Sequence, residues 1–436
     1  MAASTIVSQK IIKPFFPTPP SLRHHNLTLM DSTNIPYYIP IASFYSQPEN
    51  CNINQVSDIL ESSLSKVLSS YYPFAGRLKD NNSYVDCDDT GAEYLNVRID
   101  CPMSEILNHP YNVVANIVFP QDLPWSSSIN RSQLVVQLSH FDCGGIAISV
   151  CLSHKIADGY SLCTFLNDWA STARDQLDFR PSPLFNASSF FPLIHDNHPQ
   201  AIPINVPEPQ QHVSRIYNIS SSSLGRLKDI VVTSTNSEEA VKMNPITRVE
   251  VATALIHKCG AAVSMEKSGV FRPTLLGHVM NLRPPIPLNT MGNAYVLFGT
   301  ITKTEDDIKL PNFVAQLQKA KQQLRDKLKD MNTNEIAIHA LEILKHGADV
   351  IEWDKYDSYS CTSFCNFGLY TVDFGWGRPI RVTLAGNPMK NHFLFMDDPT
   401  GDGINVLVTL TEADMLIFQS NKELLEFASP VVHSTE

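Results

Sequence analysis

The segment that most constrains the fold is the run IAISVCL at 146–152, which is apolar at nearly every position. A strand with one face in water alternates apolar and polar residues, whereas a strand covered on both faces is apolar almost throughout. A second β-rich run at 134–141 precedes it across a loop that contains Gly144 and Gly145, which predicts a hairpin. The sequence therefore predicts that 146–152 is a central strand with both faces covered.

The rest of the chain mixes helical and strand-like segments without regular βαβ alternation. Residues 57–71 place apolar side chains at helical spacing, and Thr247 with Glu250 forms a capping box at a second helix start. Pro311 opens a third helix, and Gly159 is expected to break the backbone before a fourth. This pattern predicts an α/β fold with a large mixed β-sheet and flanking helices in each half.

The length and the proline distribution predict two domains. A chain of 436 residues is too long for one ordinary core. Between 179 and 215, seven prolines stand among polar residues with no period of 2 or 3.6, which predicts a long crossover linker. The predicted domains are 1–178 and 216–436, and part of 360–395 is expected to join the first.

Composition and charge exclude several classes of function. The net charge of -11 leaves no basic excess for a phosphate backbone, so no nucleic-acid partner is expected. No run approaches the roughly 20 apolar residues of a membrane span, and residues 1–20 show no secretory signal. Nine cysteines without CxxC or zinc-finger spacing indicate reduced thiols and no metal site. The sequence predicts a soluble, cytoplasmic protein.

Residues 154–159, HKIADG, place a histidine and a carboxylate directly after the predicted central strand. An imidazole acts as a general base when its pKa stays near the working pH and one ring nitrogen is free. The competing interpretation of His154 is a core histidine hydrogen-bonded within the protein. The preceding strand, the following Gly159 and the lack of nearby His or Cys runs favour catalysis. Asp158 has two open roles, a dyad with His154 or a salt bridge that anchors the loop.

A second motif lies near the C-terminus. It consists of Asp373, Phe374, Gly375, Trp376 and Gly377. Two glycines that permit positive φ and an aromatic pair that fills a core predict a tight turn. The chain lacks the Gly-rich loop and HRD of a kinase and the GxSxG elbow of a hydrolase. We interpret the turn as a rigid wall of a channel that does not contact substrate.

Five motifs, in order, resemble a known family, the BAHD acyl-CoA-dependent acyltransferases of plants. They are PTP at 17–19, YPFAGR at 72–77, HKIADG at 154–159, NLRPP at 281–285 with GN at 292–293, and DFGWG at 373–377. Shorter stretches are similar to the acylsugar acyltransferases of nightshade-family trichomes, which build acylsucroses. These stretches are 84–87, 108–112, 119–125, 285–293 and 423–428.

The resemblance implies a fold and a set of roles. The fold is chloramphenicol acetyltransferase-like, with two similar-sized domains, a mixed sheet in each, and a channel at their interface. The resemblance implies that His154 is the catalytic base and that Asp158 points away and pairs with Arg283. Asp373 corresponds to a residue often regarded as essential, and we expect it to shape the CoA side of the channel without taking a proton.

Further site residues follow from the same resemblance. Thr362 corresponds to the first residue of a Thr-Ser-Trp segment that helps to stabilise the oxyanion. Phe364 replaces the Trp, which removes an indole donor. The CoA phosphates need cations, for which Lys258, Arg272 and Arg378 are candidates; ordinary surface charge is the alternative interpretation of all three.

The function implied is transfer of a short or medium acyl group, branched or straight, from acyl-CoA to a hydroxyl of sucrose or a partly acylated sucrose. Acyl-CoA is a co-substrate, no cofactor is permanently bound, and a monomer is expected. An alkaloid, a phenolic amine or a terpenoid is the alternative acceptor. A non-catalytic binding protein is a third interpretation, against which the intact HKIADG and DFGWG motifs argue.

Overall fold

The computed structural model describes eleven ranges of the chain. These are residues 2–34, 36–48, 52–79, 83–109, 112–175, 179–192, 212–234, 244–284, 286–350, 355–386 and 389–431.

Strands and helices alternate irregularly along these ranges. The strands are β1 (Ser4–Ile12), β2 (His24–Asn26), β3 (Tyr38–Tyr45), β4 (Arg77–Lys79), β5 (Tyr84–Asp86), β6 (Ala92–Ile99), β7 (Leu134–Phe141), β8 (Ile146–Ser153), β9 (His212–Ile219), β10 (Thr274–Asn281), β11 (Tyr295–Thr302), β12 (Asp357–Ser363), β13 (Arg381–Leu384), β14 (His392–Asp397), β15 (Ile404–Thr411) and β16 (Ser429–Pro430). The helices are α1 (Leu29–Thr33), α2 (Ile53–Leu68), α3 (Met103–Leu107), α4 (Gly159–Ala173), α5 (Ser221–Ser234), α6 (Arg248–Ser268), α7 (Leu310–Lys329), α8 (Thr333–Val350), α9 (Glu412–Phe418) and α10 (Lys422–Phe427).

The first large sheet has the strand order β1-β6-β7-β8-β3-β13. Strands β6 and β7 are parallel and the other neighbours are antiparallel, so the sheet is mixed. All eight residues of β8 are buried, and β8 lies between β7 and β3. The predictions of a hairpin and of a central strand covered on both faces are therefore confirmed.

The second large sheet has the order β11-β10-β12-β14-β15-β9-β16. It is also mixed, because β10, β12 and β14 run parallel to one another. Alternate residues of β14 enter different cores: Phe393 and Phe395 pack beneath the helices of this half, whereas Leu394 and Met396 join the core of the first half. One face of the second sheet is thus covered by helices and the other by the first half of the chain.

The helix predictions are largely confirmed. Helix α2 begins at a capping box of Asn52 and Gln55, a few residues before the predicted start. Thr247 and Glu250 form the predicted box at α6. Gly159 does not break the backbone, because it is the first helical residue of α4. None of the described helices combines the length and apolar character that a bilayer crossing demands.

The predicted linker and domain limits overlap the strands only in part. Residues 193–211 lie outside the described ranges. The predicted linker includes residues 212–215, but these belong to β9, where they pair with 408–411 of β15. From the region 360–395, β13 pairs with β3 of the first sheet. A division into two domains with these limits remains a prediction.

His257 and His278 are two of the buried, neutral histidines in the second half. His257 stacks on Phe313 with ring centres 4.5 Å apart, and its Nε2 lies 2.8 Å from Thr274 Oγ1. His278 stacks on Phe298 at 5.0 Å. Burial is the main cause that lowers the pKa of each imidazole to about 3, and His278 beside His257 and Lys321 beside His278 lower it further. Both rings are therefore folded in the uncharged form.

This arrangement predicts acid sensitivity. The unfolded chain protonates both histidines below about pH 6.5, while the native protein resists protonation until about pH 3. The free energy of unfolding should therefore fall as pH decreases through this window, by up to about 1.4 kcal/mol per pH unit for each ring. Urea unfolding at several pH values measures the slope. The double variant His257→Gln/His278→Gln should show a shallower slope, and an unchanged slope would contradict the assignment.

Candidate active site

His154 lies at the end of β8, and its side chain lines a cavity of about 310 Å³. Its backbone N–H donates to the carbonyl of Tyr37 (2.7 Å), just before β3. The face of the second sheet forms the opposite wall of this cavity. That face contributes Val279, Asn281, Tyr295, Leu297, Thr362 and Leu394. The fold thus brings the end of a strand in one sheet to the face of the other.

Hydrogen bonds around Asn293 determine the tautomer of His154. Asn293 Nδ2 donates to the His154 carbonyl (2.8 Å) and to Asp31 Oδ1 (2.8 Å), which orients the amide oxygen toward the imidazole. His154 Nδ1 lies 3.0 Å from this oxygen. Because a carbonyl oxygen only accepts hydrogen bonds, Nδ1 carries the proton and Nε2 keeps its lone pair. The ring is held in the tautomer that a general base requires.

Asp31 holds Asn293 in place. One carboxylate oxygen of Asp31 accepts from the backbone N–H (3.0 Å) and the side-chain amide (2.8 Å) of Asn293. The other oxygen accepts from the backbone N–H of Thr28 (2.9 Å) in the capping box of α1. The imidazole is therefore positioned from α1 through Asn293 and not by Asp158.

Burial sets the charge of His154. Desolvation lowers the pKa of its imidazole below the ordinary value, and the hydrogen bonds and the nearby carboxylates of Asp158 and Asp31 oppose this only in part. The ring is therefore neutral at pH 7 and able to accept a proton.

Asp158 points away from His154 and caps α4. Its Oδ1 accepts from the backbone N–H of Ser161 (2.8 Å), and its Oδ2 accepts from Arg283 Nη1 (2.8 Å) and the Ala294 N–H (3.0 Å). Burial alone would raise the pKa of this carboxyl, but Arg283 and the two N–H donors outweigh it and lower the pKa. Of the two roles left open by the sequence, the geometry fits the salt bridge.

Arg283 is fully buried and satisfied on every side. Its Nε donates to the Thr290 carbonyl (2.9 Å) and its Nη2 to the Gly292 carbonyl (2.9 Å). Its Nη1 also donates to Asn281 Oδ1 (3.1 Å). The guanidinium thus joins the end of β10 to the loop before β11, and Asp158 joins both to α4.

Gly159 and Phe364 form a close contact beside the cavity. A Cβ atom at Gly159 would lie 2.4 Å from the Phe364 ring, so only glycine permits this approach. Both residues line the cavity together with Thr362. The structure therefore brings Gly159, Thr362 and Phe364 to His154.

The DFGWG motif is a turn apart from this cavity. Asp373 Oδ1 accepts from the backbone N–H groups of Gly375 (2.8 Å) and Gly377 (2.9 Å), and both glycines have positive φ. The Phe374 ring is buried 4.9 Å from the Trp169 ring and stacks on Trp376. Of the described residues that line the cavity, none belongs to 373–377. The structure does not bring Asp373 to His154, so it acts as a structural anchor.

The proposed phosphate ligands lie elsewhere on the molecule. Lys258 Nζ is 2.6 Å from a Glu423 carboxylate oxygen, and Arg272 Nε is 3.1 Å from Asp357 Oδ1. Arg378 is exposed beside the DFGWG turn. None of the three cations is among the described residues that line the His154 cavity.

Sequence reasoning missed the roles of Asp31 and Asn293. They lie 123 and 139 residues from His154, so no local spacing connects them to it. The Thr28-x-x-Asp31 pattern indicates a helix cap, and Asn293 belongs to the GN motif at 292–293. Neither pattern identifies the residue that hydrogen-bonds to His154. Only the fold brings them together.

The buried ion pair predicts a large stability effect. Arg283→Ala would leave the Asp158 carboxylate buried without its partner, and Asp158→Asn would do the same to the guanidinium. Each change should lower the free energy of unfolding by about 3–5 kcal/mol, as measured by urea denaturation.

A surface pair provides the matched control. Arg98 Nη2 lies 3.1 Å from Asp142 Oδ1, and both side chains are largely exposed. Arg98→Ala should cost less than about 1 kcal/mol. Equal losses at the buried and the exposed pair would contradict the structural importance assigned to Arg283.

Known proteins resemble this chain over its whole length. The Transferase family profile matches residues 2–425. Acylsugar acyltransferase 3 of Solanum lycopersicum is 62% identical, with 100% of both chains covered. Acyltransferase Pun1 of Capsicum frutescens is 39% identical, with 97% of each covered.

Solved structures agree on the fold. The crystal structure of vinorine synthase superimposes with a TM-score of 0.82 at 31% identity and covers 98% of this chain and 99% of its own. TRI101 of F. sporotrichioides, solved with coenzyme A and T-2, gives 0.71 at 15% identity over 93% of this chain and 99% of its own. The predicted chloramphenicol acetyltransferase-like α/β class is confirmed. The chain belongs to the Transferase family, the BAHD acyltransferases, and is an acyltransferase with acyl-CoA as its co-substrate.

Proposed function

We propose that the protein transfers a short or medium acyl group from acyl-CoA to a hydroxyl of sucrose or a partly acylated sucrose, with His154 as the general base. The observation that carries the proposal is the hydrogen bond from His154 Nδ1 to Asn293, which leaves Nε2 with its lone pair in the cavity. The choice of a sugar acceptor rests on the 62% identity to Acylsugar acyltransferase 3.

The proposed reaction is direct transfer in a ternary complex. Nε2 of His154 takes the proton of the acceptor hydroxyl while its oxygen attacks the thioester carbonyl carbon, and the C=O electron pair moves onto oxygen. The tetrahedral intermediate then collapses, the C–S bond breaks, and the CoA thiolate takes the proton back from His154. A positioned general base contributes about 10²–10⁴-fold, and the orientation of two bound substrates contributes more.

Residues on the cavity wall have supporting roles. Thr362 is proposed to donate to the developing oxyanion, which is worth about 2.7–4 kcal/mol per donor. The Asp158–Arg283 pair holds the opposite wall in place. The turn anchored by Asp373 is proposed to support the wall of the channel from outside, where Phe374 packs on α4.

The apolar character of the cavity lining favours one of the two proposed acceptors. Most lining side chains are apolar or aromatic, among them Tyr37, Ile39, Trp125, Phe367, Leu384 and Met389. Each hydroxyl of free sucrose that loses water in such a site needs a polar partner. Acyl chains already attached to the sugar would instead cover these walls. The lining therefore favours a partly acylated sucrose over free sucrose.

Three further properties are the cation that binds a CoA phosphate, the location of the protein in the cell and its oligomeric state. With Lys258 and Arg272 committed to carboxylates, Arg378 is the candidate cation that stays exposed for a CoA phosphate. We propose that the protein acts as a cytoplasmic monomer, for which size-exclusion chromatography with light scattering is the direct test.

The first test is mass spectrometry of the products. Purified protein is incubated with short branched acyl-CoAs and either sucrose or mono- and diacylsucroses, and the expected result is a mass gain of one acyl group. His154→Ala should abolish most turnover, because it removes the base, and leave acyl-CoA binding near wild type.

Controls separate the parts of this proposal. His24→Ala changes an exposed histidine and should turn over like wild type. Loss of folding or of acyl-CoA binding in His154→Ala would refute the base assignment. No mass gain on any sugar would move the acceptor to an alkaloid, a phenolic amine or a terpenoid.

A second test concerns Asn293. Its hydrogen bond raises the pKa of His154 against the effect of burial, so Asn293→Ala should shift the acidic limb of the kcat/KM profile to lower pH. Loss of the fixed ring orientation should also reduce kcat about 10²-fold. Asn289→Ala is the matched control, because Asn289 donates to the Ser182 carbonyl at the surface. A wild-type profile for Asn293→Ala would show that Asn293 does not position the base.

A further inference from the structure

Several hydrogen-bond donors around His154 are already used within the protein. Tyr295 Oη donates to Asn34 Oδ1 and Tyr38 Oη to the Ser132 carbonyl. Asn34 Nδ2 donates to the Met30 carbonyl (2.8 Å). The two tyrosine hydroxyls, which line the cavity, therefore have no hydrogen left for a substrate, and one of the two N–H groups of Asn34 is used.

Asn281 differs from these residues. Its Oδ1 accepts from the backbone N–H (3.1 Å) and from Nη1 (3.1 Å) of Arg283, which fixes the rotation of the amide. Its Nδ2 has no acceptor among the described residues, although the side chain lines the cavity. An amide that is held through its oxygen presents its two N–H groups on the other side. Asn281 therefore presents an oriented, unused donor.

The position of Asn281 in the sheet places this donor near the reacting atoms. Asn281 is the cross-strand partner of Tyr295, whose ring centre lies 6.3 Å from that of His154. Side chains paired across antiparallel strands are about 4.5–5.5 Å apart at Cβ. In a reactive complex the acceptor oxygen would lie about 3 Å from the base, and the thioester carbonyl oxygen would lie beyond it. A donor on the strand beside Tyr295 is within reach of that position.

We propose that Asn281 is a catalytic residue whose Nδ2 donates to the thioester carbonyl oxygen as it becomes the oxyanion. The inference rests on the proposed function and assigns it a donor in addition to Thr362. A donor fixed before the reaction stabilises the developing charge without reorganisation, which is the condition for effective oxyanion binding.

The proposal also gives the Asp158–Arg283 pair a role in catalysis. Asp158 fixes Arg283, and Arg283 fixes the amide of Asn281. Asp158 and Arg283 would thus be positioning residues that act through Asn281. Asp158 would therefore affect the reaction through Arg283 and Asn281, although its carboxylate faces away from His154.

Two substitutions test the proposal. Asn281→Asp keeps an oxygen for Arg283 but replaces the free amide, so it deletes the donor and preserves the anchor. Asn281→Ala deletes the donor without adding a charge. Both should lower kcat by about 10²–10³-fold and leave the KM and the dissociation constant for acyl-CoA near wild type. The urea midpoint of Asn281→Asp should also stay near wild type, as a matched measure of folding.

The outcomes separate the possible roles. Wild-type kcat in Asn281→Asp with a loss in Asn281→Ala would mean that the residue only anchors Arg283. A loss in Asn281→Asp alone would mean that the added charge is responsible, and either result overturns the proposal. Thiol release from acyl-CoA is followed with any acceptor that the wild type uses. If His154→Ala loses turnover while both Asn281 variants keep it, this inference fails and the proposed function stands.

Discussion

The buried ion pair between Asp158 and Arg283 is the constraint on which the site depends. Two charges removed from water cost several kcal/mol each unless hydrogen bonds satisfy their remaining atoms. Here Ser161 and Ala294 donate to the carboxylate, and backbone carbonyls accept from the guanidinium. Because Asp158 belongs to the first half and Arg283 to the second, this pair fixes α4 against the end of β10. The cavity lies between these elements, so its shape follows from the pair.

A second buried carboxylate, that of Asp31, positions the catalytic histidine proposed here. Asp31 orients Asn293, and Asn293 orients His154, just as Asp158 orients Arg283 and Arg283 orients Asn281. In each of these two hydrogen-bonded series, a carboxylate that does not bond to His154 fixes the direction of an amide. Side chains locked by further hydrogen bonds hold a site within the tolerance that catalysis requires. In the proposed mechanism the hydrogen bonds from Asp31 orient the general base, and those from Asp158 orient the oxyanion donor.

Much of this fold could be predicted from the sequence, because runs of apolar residues and helix-capping residues determine where strands and helices form. The apolar run at 146–152 specified a central strand, and the capping box of Thr247 specified the start of α6. The start of β9 was missed, because the prolines between 179 and 209 hid the alternation that begins at 212. The prediction that Gly159 breaks the backbone is wrong. This position needs glycine because the Phe364 ring lies against it, and no spacing in the sequence reveals that contact.

The site was predicted only where a motif carried it. The pattern at 154–159 indicated His154 and the resemblance implied the Asp158–Arg283 pair, whereas neither gave the partner of the imidazole. A His-x-x-x-Asp pattern suggests a dyad, yet the carboxylate at its end caps a helix and the imidazole turns to Asn293. Hydrogen bonds between residues more than 100 positions apart are decided by the packing of whole sheets.

The burial that lowers the pKa of His154 serves two ends in the proposed reaction. A neutral ring with its proton on Nδ1 is ready to accept a proton without first losing one. In the proposed reaction the same apolar walls would also limit the entry of water, which would compete with the acceptor hydroxyl for the thioester. A more polar pocket would raise the pKa of the base and admit more water at once. In the proposed reaction the apolar lining would therefore matter alongside the imidazole, because it would favour transfer to an alcohol over hydrolysis.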